Sequence, residues 1–131
     1  MIVTASMLAE GAARAHEEDD LQRSAVQFLR FALPADAEYF HIPNGGQRHK
    51  RAAARLVGLG VRAGMPDLGL VWRGRALFIE LKTRTGTASP TQLQMHRKLA
   101  YCGVPVTVSR SVPEIEAWLR LQGMPLRAGC T

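Results

Sequence analysis

The sequence predicts an α/β protein with a mixed β-sheet flanked by helices, in the element order αβαββαβα. Three observations carry that expectation. Apolar residues recur at helical spacing in several separated segments, short β-type runs alternate with them, and two of those runs are joined only by Arg73-Gly74, a hairpin turn. No repeat or internal linker interrupts the order, so the elements are read as one domain over residues 16–123. A leader (residues 1–15) precedes it and a tail (residues 124–131) follows.

Each element has its own justification. The leader is Ala-rich without a clear apolar stripe and reads as loose or partly helical. From about Glu17 to Leu33, Leu21, Ala25, Phe28, Leu29, Ala32 and Leu33 fall on one helical face, with Glu17, Glu18, Asp19 and Asp20 expected in the first turn, where they complement the helix dipole. Pro34 stops this helix. Glu38 to Ile42 reads as a short strand, and Pro43-Asn44-Gly45-Gly46 as a turn. A second helix is expected from Gln47 to Leu59, with Gly58 and Gly60 as stop signals.

Leu68–Trp72 and Ala76–Lys82 then form the antiparallel hairpin. Ser89-Pro90-Thr91-Gln92 opens a third helix with an N-cap, a first-turn proline and a glutamine three residues after the cap; Gly103 ends it. Val104–Val108 is the last strand. Ser111-Val112-Pro113-Glu114 opens the last helix, which runs to about Gln122.

Composition limits the function. The 131 residues carry a net charge of +6 and a pI near 10.2, a balance that favours nucleic acid first and an anionic membrane surface second. The excess is local. Residues 1–46 hold three Arg against seven acids, whereas residues 47–84 hold nine basic residues against two acids, so the cationic character lies in the middle of the chain. No apolar run approaches the ~20 residues of a membrane span. The start of the chain has no secretory pattern. Cys102 and Cys130 form neither a disulfide framework nor a metal spacing, and a reducing cytoplasm is expected. His41, His49 and His96 likewise lack metal spacing; His41 reads as a packed strand residue and Cys102 as a buried small apolar residue at a helix end.

Chemistry enters at the second strand of the hairpin. Ala76, Leu77, Phe78 and Ile79 are apolar in succession, the mark of a strand buried on both faces. Glu80 and Lys82 interrupt that run two positions apart, on one face of the sheet. Charge in such a place costs several kcal/mol unless it is paired or bound to a cation. A hairpin centred between Arg73 and Gly74 would pair Asp67 with Glu80 on one face, whereas an odd loop would turn Asp67 to the opposite face, so the pairing depends on an even register or a compensating bulge. Two carboxylates at ~4.5–5.5 Å repel unless a cation lies between them. Hard oxygen ligands without His or Cys suit Mg²⁺ or Mn²⁺. Simpler readings stand beside this one: Asp67 as a turn residue after Pro66, and Glu80 and Lys82 as a strand end reaching solvent.

Pro66-Asp67, twelve residues, then Glu80-Leu81-Lys82 resembles the signature of the PD-(D/E)xK nuclease superfamily. His41-Ile-Pro-Asn-Gly-Gly46, Gly60-Val-Arg-Ala-Gly-Met-Pro-Asp67, Phe78-Ile-Glu-Leu-Lys82, and Ser89 with Gln92 together resemble the VRR-NUC (virus-type replication-repair nuclease) family. The resemblance implies a restriction-endonuclease-like core and metal-dependent phosphodiester cleavage. Asp67 and Glu80 would be the metal-binding carboxylates and the Leu81 backbone carbonyl a further ligand. Lys82 would position the attacking water or neutralise developing charge. Glu18, three residues before Leu21-Gln22, matches the acid of the family's first helix, with Glu17 as the competing position. Gln92 matches the glutamine after the ExK strand, although Ser89 and Gln92 also make a capping box. Asn44 matches the loop asparagine.

Asn44, Gly45 and Gly46 would bring backbone close to phosphate, and Arg48, Lys50, Arg51 and Arg55 would hold the DNA backbone in register without reading sequence. The expected activity is a structure-selective DNA endonuclease on branched DNA such as four-way (Holliday) junctions, acting as a homodimer because one copy spans only about ten base pairs. The alternatives are a flap or end-processing nuclease, a non-catalytic nucleic-acid-binding module, and an α/β interaction protein in which Asp67 and Glu80 lie far apart.

Overall fold

A computed structural model describes residues 4–43 and 50–130. Its elements are α1 (Ala5–Ala32), β1 (Ala37–His41), α2 (Lys50–Gly58), β2 (Leu68–Trp72), β3 (Arg75–Leu81), α3 (Pro90–Tyr101), β4 (Val106–Ser109) and α4 (Val112–Leu121). The order αβαββαβα is the one the sequence predicts. The strands pair in the order β1-β2-β3-β4. β1 with β2 and β2 with β3 are antiparallel. Between β3 and β4, Phe78 N donates to Pro105 O and Lys82 N to Ser109 O, so the numbers rise together and this pair is parallel. The sheet is therefore mixed. The chain forms two compact units, Asp36–Glu80 with Thr87–Thr107, and Met1–Ala35 with Leu81–Gly86 and Val108–Thr131.

In the first of these, the β2–β3 hairpin sets the register. Arg73 and Gly74 have φ of 49° and 74°, the two positive values of a type I′ turn, whose twist suits a two-residue hairpin. Arginine accepts this backbone with compensation: its Nε donates to Asp36 Oδ2 at 3.0 Å, and its guanidinium lies 4.9 Å from the Trp72 ring centroid. The Asp36 carboxyl is held below the usual carboxylate range by that same guanidinium. Leu68, Leu70, Leu77 and Ile79 are fully buried on one face of the hairpin. On the other face Phe40 lies over Gly69 and meets Phe78 edge-on at 6.3 Å, which is why position 69 carries no side chain.

The loop before β2 is fixed by a close approach. Gly64 has φ +80°, and a Cβ there would lie 2.5 Å from Thr91 O and 2.9 Å from Thr91 C, both backbone atoms of the first turn of α3. Gly64→Ala therefore combines left-handed strain with a clash that no rotamer relieves. A loss of about 3 kcal/mol is expected, readable as a Tm fall of order 10 °C by thermal denaturation. A Tm within about 2–3 °C of the parent would contradict it.

In the second unit, α1 packs against α4. The helix begins at Ala5, so the leader from there on is regular helix rather than loose chain. Thr4 caps it by accepting from Met7 N at 3.1 Å, and the Ala-rich stretch has high helix propensity despite its exposure. One consequence corrects the expectation from sequence: Glu17 to Asp20 lie in the middle of α1, not in its first turn, so they do not complement the dipole there.

The tail is built into this unit. Met124 is buried, Arg127 N donates to Ala32 O at 2.7 Å, and Arg127 Nε donates to Leu33 O, closing the carbonyl end of α1. Cys130 Sγ donates to Glu116 Oε2 at 2.7 Å. That bond pushes the thiol pKa up and the carboxyl pKa down. The depressed carboxyl contributes stability above the ordinary carboxylate range, lost as pH falls through its folded value. The raised thiol contributes below the ordinary thiol range, lost as pH rises through its folded value. Cys130 should alkylate more slowly than Cys102 at mildly alkaline pH, and Glu116→Gln should narrow the gap; equal rates in the parent would contradict this.

Cys102 is exposed at the C-cap of α3, not buried, because the helix turns outward to Gly103 (φ +82°) at that point.

Candidate active site

The register supplies the first element of the site. β2 and β3 pair from Trp72 with Arg75 to Leu68 with Ile79; Asp67 immediately precedes the last pair and Glu80 immediately follows it, so the same register carried one step past the paired residues would set them opposite each other. Asp67 is held from the other side as well: its carbonyl accepts from Ile42 N at 2.8 Å, continuing the β1–β2 ladder, and His41 Nδ1 lies 2.8 Å from the same oxygen. His41 is thus an exposed residue contacting the Asp67 backbone, not a packed strand residue.

Glu80 is 1% exposed and Asp67 half-buried. His96 Nε2 on α3 lies 3.4 Å from Glu80 Oε1. The spacing of histidines along the chain pointed to no role for His96; its one available signal was its position four residues after Gln92, on the same helical face.

Lys82 follows in the second unit, half-buried, its backbone N bound to Ser109 O at 3.0 Å. The loop after it is clamped by Arg110, whose Nη1 donates to both Thr83 O and Gly86 O at 2.5 Å. The strand end that presents Lys82 is therefore tied on both sides. Gln92 forms the predicted capping box, with Oε1 accepting from Ser89 N at 2.8 Å and its N donating to Ser89 Oγ at 3.2 Å. Its carboxamide oxygen is committed to the cap, which leaves the NH₂ for any further partner.

The two acids of the first helix separate by phase. At about 100° per residue, Glu18 shares a stripe with Gln22 and the buried Ala25, Leu29 and Ala32. Glu17 falls to one side, where it lines a cleft of about 350 Å³ with Glu10, Ala13, Arg84 and Thr85. Arg51 and Arg55 are exposed on α2. Asn44, Gly45, Gly46 and Arg48 lie outside the described residues, as does the side chain of Lys50, and the predicted start of α2 at Gln47 lies there too.

Among the described residues, no group of three or more His, Cys, Asp or Glu side chains could cage a metal ion. The donors that the sequence offers are the Asp67 and Glu80 carboxylates and the Leu81 carbonyl. This set still fits Mg²⁺, which is commonly held by one or two carboxylates and completes its shell with water and phosphate oxygens.

The mixed four-stranded sheet flanked by helices is the fold class expected of a restriction-endonuclease-like domain. The VRR-NUC domain family model matches residues 15–113, and the chain belongs to that family of nuclease domains. A solved structure described as a VRR_NUC domain protein is similar in fold, with a TM-score of 0.62 and 21% identity over 80% of this chain and 86% of that one. No curated protein matches. No helix among the described residues is long and apolar enough to cross a membrane.

Proposed function

We propose that the chain is a Mg²⁺- or Mn²⁺-dependent endonuclease that hydrolyses phosphodiester bonds in branched DNA, four-way junctions included, and acts as a homodimer. The observation that supports the reading is a carboxylate buried at the end of β3, Glu80 at 1% exposure, in a hairpin whose register carried one step further would bring Asp67 opposite it. Opposed carboxylates repel, and a divalent cation is the partner that turns the repulsion into attraction.

When bound, the cation lowers the pKa of a water and polarises the scissile phosphate. The residues do the rest. Asp67 and Glu80, with the Leu81 carbonyl, supply oxygen ligands. Lys82 holds positive charge where negative charge develops on the phosphate. By the family resemblance alone, Gln92 and Glu18 would also serve the site. Arg51 and Arg55, with Arg48, Lys50 and the Asn44-Gly45-Gly46 segment, would grip phosphates and add salt dependence. The +7 segment of residues 47–84 thus attracts DNA while its only two acids are Asp67 and Glu80.

A domain of this size spans about ten base pairs and one strand at a time. Two copies related by a two-fold axis match the two-fold symmetry of a four-way junction. The test is cleavage of end-labelled junction, flap, single-stranded and plain duplex DNA with Mg²⁺, Mn²⁺ or EDTA, with sedimentation to count copies. Metal-dependent cutting concentrated on the junction by a dimer supports the reading. Equal cutting of all substrates reduces it to a broad nuclease, and salt-sensitive binding without cutting makes the chain a binding module.

A further inference from the structure

The His96–Glu80 contact has no part in the cleavage chemistry proposed for Asp67, Glu80 and Lys82. Glu80 is 1% exposed, and His96, at 12%, puts Nε2 3.4 Å from its Oε1. Both residues belong to the same compact unit. The ring's height is set by the capping box: Ser89 fixes where α3 begins, and His96 stands one turn after Gln92. The carboxylate's height is set by the hairpin register. The cap and the type I′ turn fix each residue's place along its own element, and the packing of α3 brings the two together.

The geometry points to His96 as a positioning residue that holds Oε1 of Glu80 and leaves Oε2 to face a divalent cation; this rests on the metal reading of Asp67 and Glu80. A glutamate has a broad, roughly two-fold terminal torsion, so a carboxylate by itself does not choose which oxygen it presents. A donor on one oxygen fixes the plane of the group. That matters for Mg²⁺, which tolerates little departure from octahedral geometry. Histidine suits this role because its donor sits on a rigid ring, and in the neutral Nε2–H tautomer it adds no net charge beside the cation. A lysine there would compete with the metal for the carboxylate. At 3.4 Å the two atoms are in ion-pair range, beyond the ~2.7–2.9 Å of a tight charge-assisted bond, and both are buried without a hydrogen bond between them.

The test is Mn²⁺ binding by the full chain, measured by calorimetry at fixed pH alongside apo-protein Tm, for the parent, Glu80→Gln, His96→Leu and His96→Gln. Leucine keeps bulk without a donor, and glutamine keeps a donor near the position of Nε2. His96→Leu should weaken Mn²⁺ binding about 10–100-fold, with His96→Gln staying within about threefold of the parent. A merely structural role would move Tm in both variants and leave Mn²⁺ affinity unchanged. Parent-like affinity in His96→Leu, or equal losses in both His96 variants, overturns the inference while the metal reading stands. No Mn²⁺ binding by the parent, or unchanged binding by Glu80→Gln, overturns the metal reading and the inference with it.

Discussion

Glu80→Gln and Asp67→Asn are each expected to lower metal-dependent cleavage by roughly a thousandfold or more while leaving the apo protein as stable as the parent or more so. The two halves of this result have one cause. Glu80 is 1% exposed, and the hairpin register carried one step past Leu68–Ile79 would set Asp67 opposite it. In the apo protein, like charges directly opposite across a strand pair destabilise it, and burial of an ionised carboxylate adds several kcal/mol of desolvation. The isosteric amide removes the charge and keeps the shape. The same substitution removes an anionic oxygen ligand, and a transition-state charge stabiliser is worth about 3–4 kcal/mol or more. Activity and apo-stability should therefore move in opposite directions, as at sites that keep strain for function. Single-turnover cleavage and calorimetric Tm check both halves. Parent-level cutting by either variant sinks the assignment of the carboxylates, and a large fall in apo Tm marks them as structural.

Lys82→Ala is expected to cost about 10²–10³-fold in kcat with KM nearly unchanged. The strand end that carries Lys82 is fixed through its backbone to Ser109 and by the Arg110 clamp on Thr83 and Gly86, so loss of the side chain leaves the frame in place. A lysine that stabilises developing charge acts on the transition state and appears in kcat. A lysine that only grips DNA appears in KM and in the salt slope. Lys82→Arg should recover part of the rate, since the charge remains but the compact ammonium geometry does not. A rise in KM at constant kcat would reassign Lys82 to DNA binding.

Much of the fold is readable because local chemistry enforces it. Arg73-Gly74 between two β-type runs reads as a two-residue turn, and that short loop fixes the register from Trp72–Arg75 to Leu68–Ile79. Ser89-Pro90 with Gln92 starts α3 for reasons contained in four residues. The acid-rich run at Glu17–Asp20 misleads because acids suit a first turn but do not require one. Alanine extends the helix back to Thr4, and no local signal marks that extension. Cys102 and His41 are misjudged for a related reason: exposure depends on what packs nearby, and neither residue type declares that.

The chain alone thus determined the element order, the hairpin register and the residue types that carry charge into a buried strand. These follow from turn geometry, caps and the two-residue period of a strand, all of short range. Only the tertiary structure decided that α3 brings His96 to Glu80, that Gly64 must be glycine because Thr91 backbone crosses it, and that Arg110 clamps the loop after Lys82. Each of those contacts joins residues far apart in the chain, on different elements or loops. Their closeness is set by how whole elements pack, which no short-range pattern encodes.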